Sequence, residues 1–467
     1  MTRSYWLLIP GLMLAAAGGL HSQERDAHVL GPGEVRVAAE AEYWSFGEVY
    51  GEDGDVGIGA AFGRELTATT YAPLTAVAAD LSRFLEETSE NGDGTTLDPA
   101  VLTAGRLDLA ASITTRVVPL RVSLGLLRRV EVGASLPVYR RERMIERFEL
   151  EPGNVGINPE PAANAALLAG VSAAGEALGG APVLPLAGST SGEALQQRVE
   201  ALTGERLTLP AAPPSGPALR DSVGGVPTSY HLSEWLPGDL EVNARVEVLR
   251  SFGPGAYPPL ADDGLDYRLT ALVAARFPTG RRPDLDWGFD PRIGVGFGGA
   301  SLGVVGDLFV AERFWLSSGG SLERLGARAV PLFVAVTEGP LAAGSGEQVV
   351  RRSPDDAFDL WLSPRARLTP EFSVGGSIRI ERSLAGTDEI GDQTVPIAEA
   401  TRHSAGFTLR YSTLPAVTAG RGSVPAEIAL GYSAAWGGSG GAPAGAVAYL
   451  RASLFQRLWG GPPEGGP

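Results

Sequence analysis

The stretch Phe358-Asp-Leu-Trp-Leu-Ser-Pro-Arg-Ala-Arg-Leu368 decides the fold. Phe358, Leu360, Leu362, Ala366 and Leu368 alternate with Asp359, Trp361, Ser363, Arg365 and Arg367, so one face is greasy and the other carries charge. Only an extended strand puts successive side chains on opposite faces. A soluble sandwich would bury the apolar face against a second sheet, whereas an outer-membrane barrel turns it to lipid and leaves the charged face in a wet lumen.

Working outward, the same period recurs. Leu240, Val242, Ala244, Val246 and Val248 interleave with Glu241, Asn243, Arg245 and Glu247, and Phe372, Val374, Ile378 and Ile380 oppose Ser373, Ser377, Arg379 and Glu381. Twelve strands are predicted, at 34–46, 106–120, 129–141, 238–250, 265–278, 298–309, 312–324, 357–368, 371–383, 402–413, 425–436 and 446–459. Fourteen is the alternative, if Val330–Val336 and a partner form another hairpin. A one-residue slip would push arginines into lipid at ~2–4 kcal/mol each near the midplane, so the register is strongly specified. A phase change at Val117-Val118 predicts a bulge near Pro119, and Tyr43, Trp44, Tyr411, Trp436 and Trp459 fall at strand ends, where an aromatic girdle would lie.

The connections choose between sandwich and barrel. Long insertions at 47–105 and 142–237 alternate with short links such as Thr369-Pro370, the pattern of external loops and periplasmic turns in outer-membrane barrels. Within the insertions, 74–87 and 190–202 have helical periodicity, the second behind a Thr190-x-x-Glu193 capping box, and 161–178 is Ala-rich. They fit either an external cap or a lid folding into the lumen.

Composition narrows the reading further. The 467 residues include 63 Gly and 35 Pro, as a turn-rich fold requires, and no cysteine or lysine, so all 38 basic residues are arginine. Lysine Schiff-base and thiolate-metal chemistry are excluded, and a net charge of −16 argues against a nucleic-acid partner. Arg3 followed by an apolar run from Tyr5 to Leu20 reads as a signal peptide over 1–22, cleaved after Gly19 or Ser22. Residues 23–33 are then a short periplasmic segment, 34–459 the barrel and 460–467 a C-terminal tail.

Little in the chain reads as catalysis. His403 and Ser404 are adjacent, which on a strand places them on opposite faces, unlike the alternating pair of the outer-membrane phospholipase. Gly294, Gly296 and Gly299 lack the following helix of a dinucleotide site. No enzyme activity, cofactor or metal is expected. The remaining constellation is the inward charge set: Arg36, Glu40, Glu241, Arg245, Glu247, Arg268, Arg276, Asp359, Arg365, Arg367, Arg379, Glu381, Arg410 and Arg451. Cross-strand pairing would hold a narrow barrel in shape, and the same charges would line a polar permeation path.

Gly125-Leu-Leu-Arg-Arg-Val-Glu-Val-Gly-Ala-Ser-Leu-Pro137, Pro237-Gly-Asp-Leu-Glu-Val242, Arg276-Phe-Pro-Thr-Gly280 and Gly306-Asp-Leu-Phe-Val-Ala-Glu-Arg-Phe-Trp315 are similar to segments of the phenol-degradation meta-pathway (MetA-like) family. That family is distantly related to channels for aromatic hydrocarbons and long-chain fatty acids. The resemblance implies movement of small molecules, aromatic or other apolar compounds among them, across the outer membrane. Fatty-acid channels carry a long N-terminal hatch that this chain lacks, so a plug is expected to come from an external loop. The expected partners are outer-membrane lipid, a small-molecule solute and, during insertion, the barrel-assembly machinery. A closed barrel serving as an anchor for its large loops is the competing reading.

Overall fold

The computed structural model describes residues 26–51, 54–57, 64–67, 102–151, 156–157, 229–231, 235–252, 265–280, 297–310, 313–333, 347–353, 356–390, 393–422 and 424–459, with isolated residues between 197 and 206. Twelve antiparallel strands form a closed barrel: β1 (Glu34–Tyr50), β2 (Leu102–Leu127), β3 (Val130–Glu151), β4 (Leu240–Arg250), β5 (Leu265–Phe277), β6 (Gly299–Val310), β7 (Phe314–Leu325), β8 (Ala357–Arg367), β9 (Phe372–Ser383), β10 (Ala400–Ser412), β11 (Ala426–Ser439) and β12 (Pro443–Arg457). Each pairs with its sequence neighbours, and β12 returns to β1, from Glu34 opposite Arg457 to Val49 opposite Pro443. Closure leaves no open edge, the condition for a sheet in lipid.

The hairpin predicted from Val330 exists, but outside the barrel wall. Arg328–Phe333 pairs with Glu347–Ser353 in a separate four-stranded sheet with Gly386–Ile390 and Gln393–Ile397. These strands extend the long connections after β7 and β9, so the barrel count is twelve, not fourteen. Strands β2 and β3 also run further than expected, to Leu102 and Glu151.

Side chains alternate as the pattern dictates. Val242, Val246, Leu302, Leu360, Ile378 and Leu430 face outward and exposed, while Glu40, Thr270, Asp307 and Ser317 point inward and are almost fully buried. Tyr267, Phe314, Tyr411 and Trp459 are exposed toward the end bearing short turns, and Phe277, Tyr43, Phe358 and Trp436 toward the end bearing long loops. Such belts belong at membrane interfaces. Trp44 is the exception among the expected girdle residues. It is buried on the lumen face, where its indole Nε1 donates to Glu42 at 3.0 Å and the Arg402 guanidinium lies 5.4 Å from its ring.

The bulge expected at Pro119 is absent. The β1–β2 register is the same on both sides of it, and Pro119 faces Pro137 on β3. The apparent phase change arises because two inward positions are apolar. Ile113 packs on Phe46 and Val49, and Val117 packs on Tyr139 and Leu236. Register shifts lie instead at Ala110/Ala111 and Gly125/Leu127.

Of the two predicted helices, 74–87 lies outside the described residues, as do the Ala-rich stretch 161–178 and the leader 1–22. In the other, 190–202, Gln197, Glu200 and Ala201 are helical, and Gly204 donates its N–H to Glu200 O at 2.9 Å.

Candidate functional site: a charged lumen crossed by the N-terminal segment

The lumen encloses a cavity of about 190 Å³. Eight of the fourteen expected charges line it: Arg36, Glu241, Arg245, Arg276, Asp359, Glu381, Arg410 and Arg451. Arg268 and Arg367, with Arg410 again, line a smaller cavity of about 50 Å³ toward the short-turn end. The remaining four point inward without reaching either cavity. Glu40 pairs with Arg121 at 3.3 Å, Glu247 with Arg250 at 3.3 Å, and Arg379 with Asp359 at 2.6 Å, while Arg365 lies 4.9 Å from the Trp315 ring.

Pairing is extensive. Arg36 reaches Glu131 at 3.0 Å, Arg276 reaches Glu323 at 2.8 Å, Arg402 reaches Glu381 at 3.1 Å, and Arg410 reaches Glu427 at 2.6 Å. Burying unpaired charge would cost several kcal/mol per ion, so these cross-strand pairs make a polar interior tolerable. Glu131, Asp307, Glu323, Arg402 and Glu427 belong to this network although the sequence reading did not single them out. Period two within each one's own strand was the signal available for them, as Arg402 shares the parity of Arg410 on β10.

The larger departure is at the N-terminus. Residues Asp26 to Leu30 lie within the barrel instead of hanging below it. Ala27 N–H donates to Asp307 Oδ2 at 3.0 Å, Thr270 Oγ1 donates to Ala27 O at 2.6 Å, and Leu30 N–H donates to Glu131 Oε2 at 3.0 Å. Arg245 donates to Asp26 O, and Arg410 faces the Asp26 carboxylate at 3.9 Å. Arg245 is on β4 and Arg410 on β10, six strands apart in a ring of twelve, so Asp26 spans the lumen between opposite walls. Apolar contacts support the crossing: Ala27 packs with Val305 and Trp361, and Leu30 is 1% exposed. Among the described residues a plug therefore enters from the N-terminal side; most of the two long insertions expected to supply one lies outside the described residues.

Glycine at two positions makes this path available. Gly33 adopts φ +75°, and a Cβ there would sit 2.1 Å from Trp459 O. At Gly125 a Cβ would lie 2.0 Å from Gly31 O and 2.6 Å from Leu30 O, so only glycine lets the segment pass the β2 end. Gly33 N–H then donates to Gly125 O at 2.8 Å and fixes the base of the plug.

The plug carries two titratable groups. Burial alone would raise the Asp26 carboxyl, but Arg410, Arg245 and Arg268 outweigh it and hold the group well below the usual carboxylate range. Burial, reinforced by the Arg268 guanidinium, pushes the His28 imidazole well below its ordinary value. Elsewhere, Ser404 points inward while His403 stacks outside on Trp436 at 5.0 Å, the opposite-face arrangement expected of them.

No protein-family model and no curated protein matches the chain, so the phenol-degradation family stays a resemblance in sequence. Among solved structures, the chain is similar to the COG4313 outer membrane channel from Pseudomonas putida F1, at 10% identity and TM-score 0.48, over 93% of this chain and 100% of that one. It is similar to the transport unit of the autotransporter AIDA-I from Escherichia coli at 8% identity and TM-score 0.36, over 98% and 100%. The Pseudomonas putida toluene transporter TodX follows at 10% identity and TM-score 0.27, over 96% and 98%. At these values the fold of this chain rests on its own strand register: it is a closed, twelve-stranded antiparallel barrel with an apolar outer face.

Proposed function

We propose that this chain is an outer-membrane channel for passive movement of small polar solutes, not an enzyme. The observation that carries the reading is the charge-lined cavity of about 190 Å³ inside a closed wall whose outer face is apolar. Outward leucines, valines and aromatics meet outer-membrane lipid, and the short-turn end faces the periplasm. A wall of guanidinium and carboxylate groups suits ions and hydrogen-bonding solutes, since an apolar solute would gain nothing from displacing their water. The segment through Asp26 favours a state that is closed at rest, which also supports a second reading: a sealed barrel that anchors its large external loops. Single-channel recording in planar bilayers separates the two. The channel reading expects stepwise conductance that rises when the N-terminal segment is unseated. Silence in the wild type, in an unseated variant and after deletion of residues 158–216 would leave the anchor.

A further inference from the structure

The Asp26–Ala27 unit is held as a ligand is held. Its carboxylate faces Arg410 at 3.9 Å, and its carbonyl accepts from Arg245. The following N–H donates to Asp307 Oδ2 at 3.0 Å, and the next carbonyl accepts from Thr270 Oγ1 at 2.6 Å. Thr270 is 0% exposed, Asp307 2% and Arg268 4%, so the seat is made of buried polar groups, not of a solvated rim.

Most of the seat is organised without the segment. Asp307 is already engaged by Arg268 Nη2 at 2.6 Å and Ser317 Oγ at 2.7 Å, and Glu131 by Arg36 at 3.0 Å. The charges around it lean cationic. Three clusters face Asp26: Arg36 and Arg245 on Glu131, Arg268 on Asp307, and Arg410 and Arg451 on Glu427. Together they hold five guanidinium groups against three carboxylates, and Asp26 supplies a fourth. The Arg245 Nε is in addition a buried donor with no acceptor. Asp26 also borders both the large and the small cavity, so it stands between them.

We propose that this seat is a binding site for a small organic carboxylate bearing an amide carbonyl two carbons away, such as the monoamide of a four-carbon dicarboxylic acid or an aspartyl peptide. The N-terminal segment occupies it as a tethered competitor. This rests on the channel reading and adds a solute class to it. A solute carrying both groups replaces the carboxylate and the peptide unit together, whereas a hydrocarbon satisfies neither.

The test uses N-methylsuccinamate, which reproduces the Asp26 side chain and its peptide bond to Ala27, against neutral N-methylsuccinamide. Calorimetry is run on the full chain in detergent. In Gly125→Ala, where the new Cβ expels the segment, the carboxylate should bind at least tenfold more tightly than the neutral amide, and Arg410→Gln in that background should abolish the preference. The wild type, its seat filled, should bind neither. Asp26→Ala gives a second background, in which acetate should bind in preference to acetamide. Equal binding of acid and amide in both backgrounds overturns the proposal, as does a preference that survives Arg410→Gln. Because the readout is binding, carboxylate binding in a protein that never conducts would overturn the channel reading and leave the site standing.

Discussion

Arg268 sits directly opposite Asp307 across the β5–β6 pair and donates both Nε and Nη2 to one carboxylate oxygen, at 3.2 and 2.6 Å. Both side chains are almost fully buried. Asp307→Ala removes the carboxylate that neutralises this guanidinium and should destabilise the barrel by ~3–5 kcal/mol, while Arg268→Met with Asp307→Leu should cost much less. Urea unfolding from lipid vesicles measures both. A double variant as unstable as the single one would refute the assignment.

The outward face answers to a different rule. Leu302 is 63% and Leu360 54% exposed on the barrel exterior. Arginine at either position should lower stability by ~2–4 kcal/mol if the site is near the bilayer midplane. The shift in unfolding midpoint is the measurement, and an unchanged midpoint would mean that these residues do not meet lipid.

Gly125 tests the plug by steric means alone. Its alanine variant should leave the barrel folded, judged by heat-modifiable migration, yet expose residues 26–31 to protease and raise conductance. Protection and conductance identical to wild type would show that the segment does not close the lumen.

Acid should unseat the same segment. Seated Asp26 ionises more readily than a solvated carboxyl and seated His28 stays neutral, so the seated state binds fewer protons than the released one. Seating therefore strengthens as pH rises. The His28 contribution is complete above about 6.5, its ordinary value, and fades as pH falls toward the seated value; that of Asp26 is lost only below about 4. His28 is faced by Arg268, Asp26, Arg36 and Arg245. Open probability should climb on acidification from neutrality, and His28→Ala should flatten the climb between about pH 5 and 7. A profile unaltered by that substitution would assign the effect elsewhere.

The barrel was legible because period two is a local property. Leu360 and Asp359 declare their faces within three residues, and Thr369-Pro370 declares its turn within two. What was not legible is what depends on distance along the chain. Ala27 meets Asp307 across 280 positions, and no local pattern distinguishes a segment that enters the lumen from one that hangs below it. Trp44 and Val117 misled for a related reason. Their inward parity was readable, but an aromatic at a strand end suits a lipid interface equally well, and a buried apolar patch inside a polar lumen looks like a break in phase.

The seam between β1 and β12 has a consequence for assembly. The ring cannot close until the last strand is available, because Glu34 pairs with Arg457, so the final contact is also the one with the longest loop to order. The residues just before Glu34 lie inside the closed ring. Leu458 N–H donates to Gly33 O at 2.8 Å, so the joint that completes the wall also anchors the base of the stopper, which can leave and regain its seat while the wall stays closed.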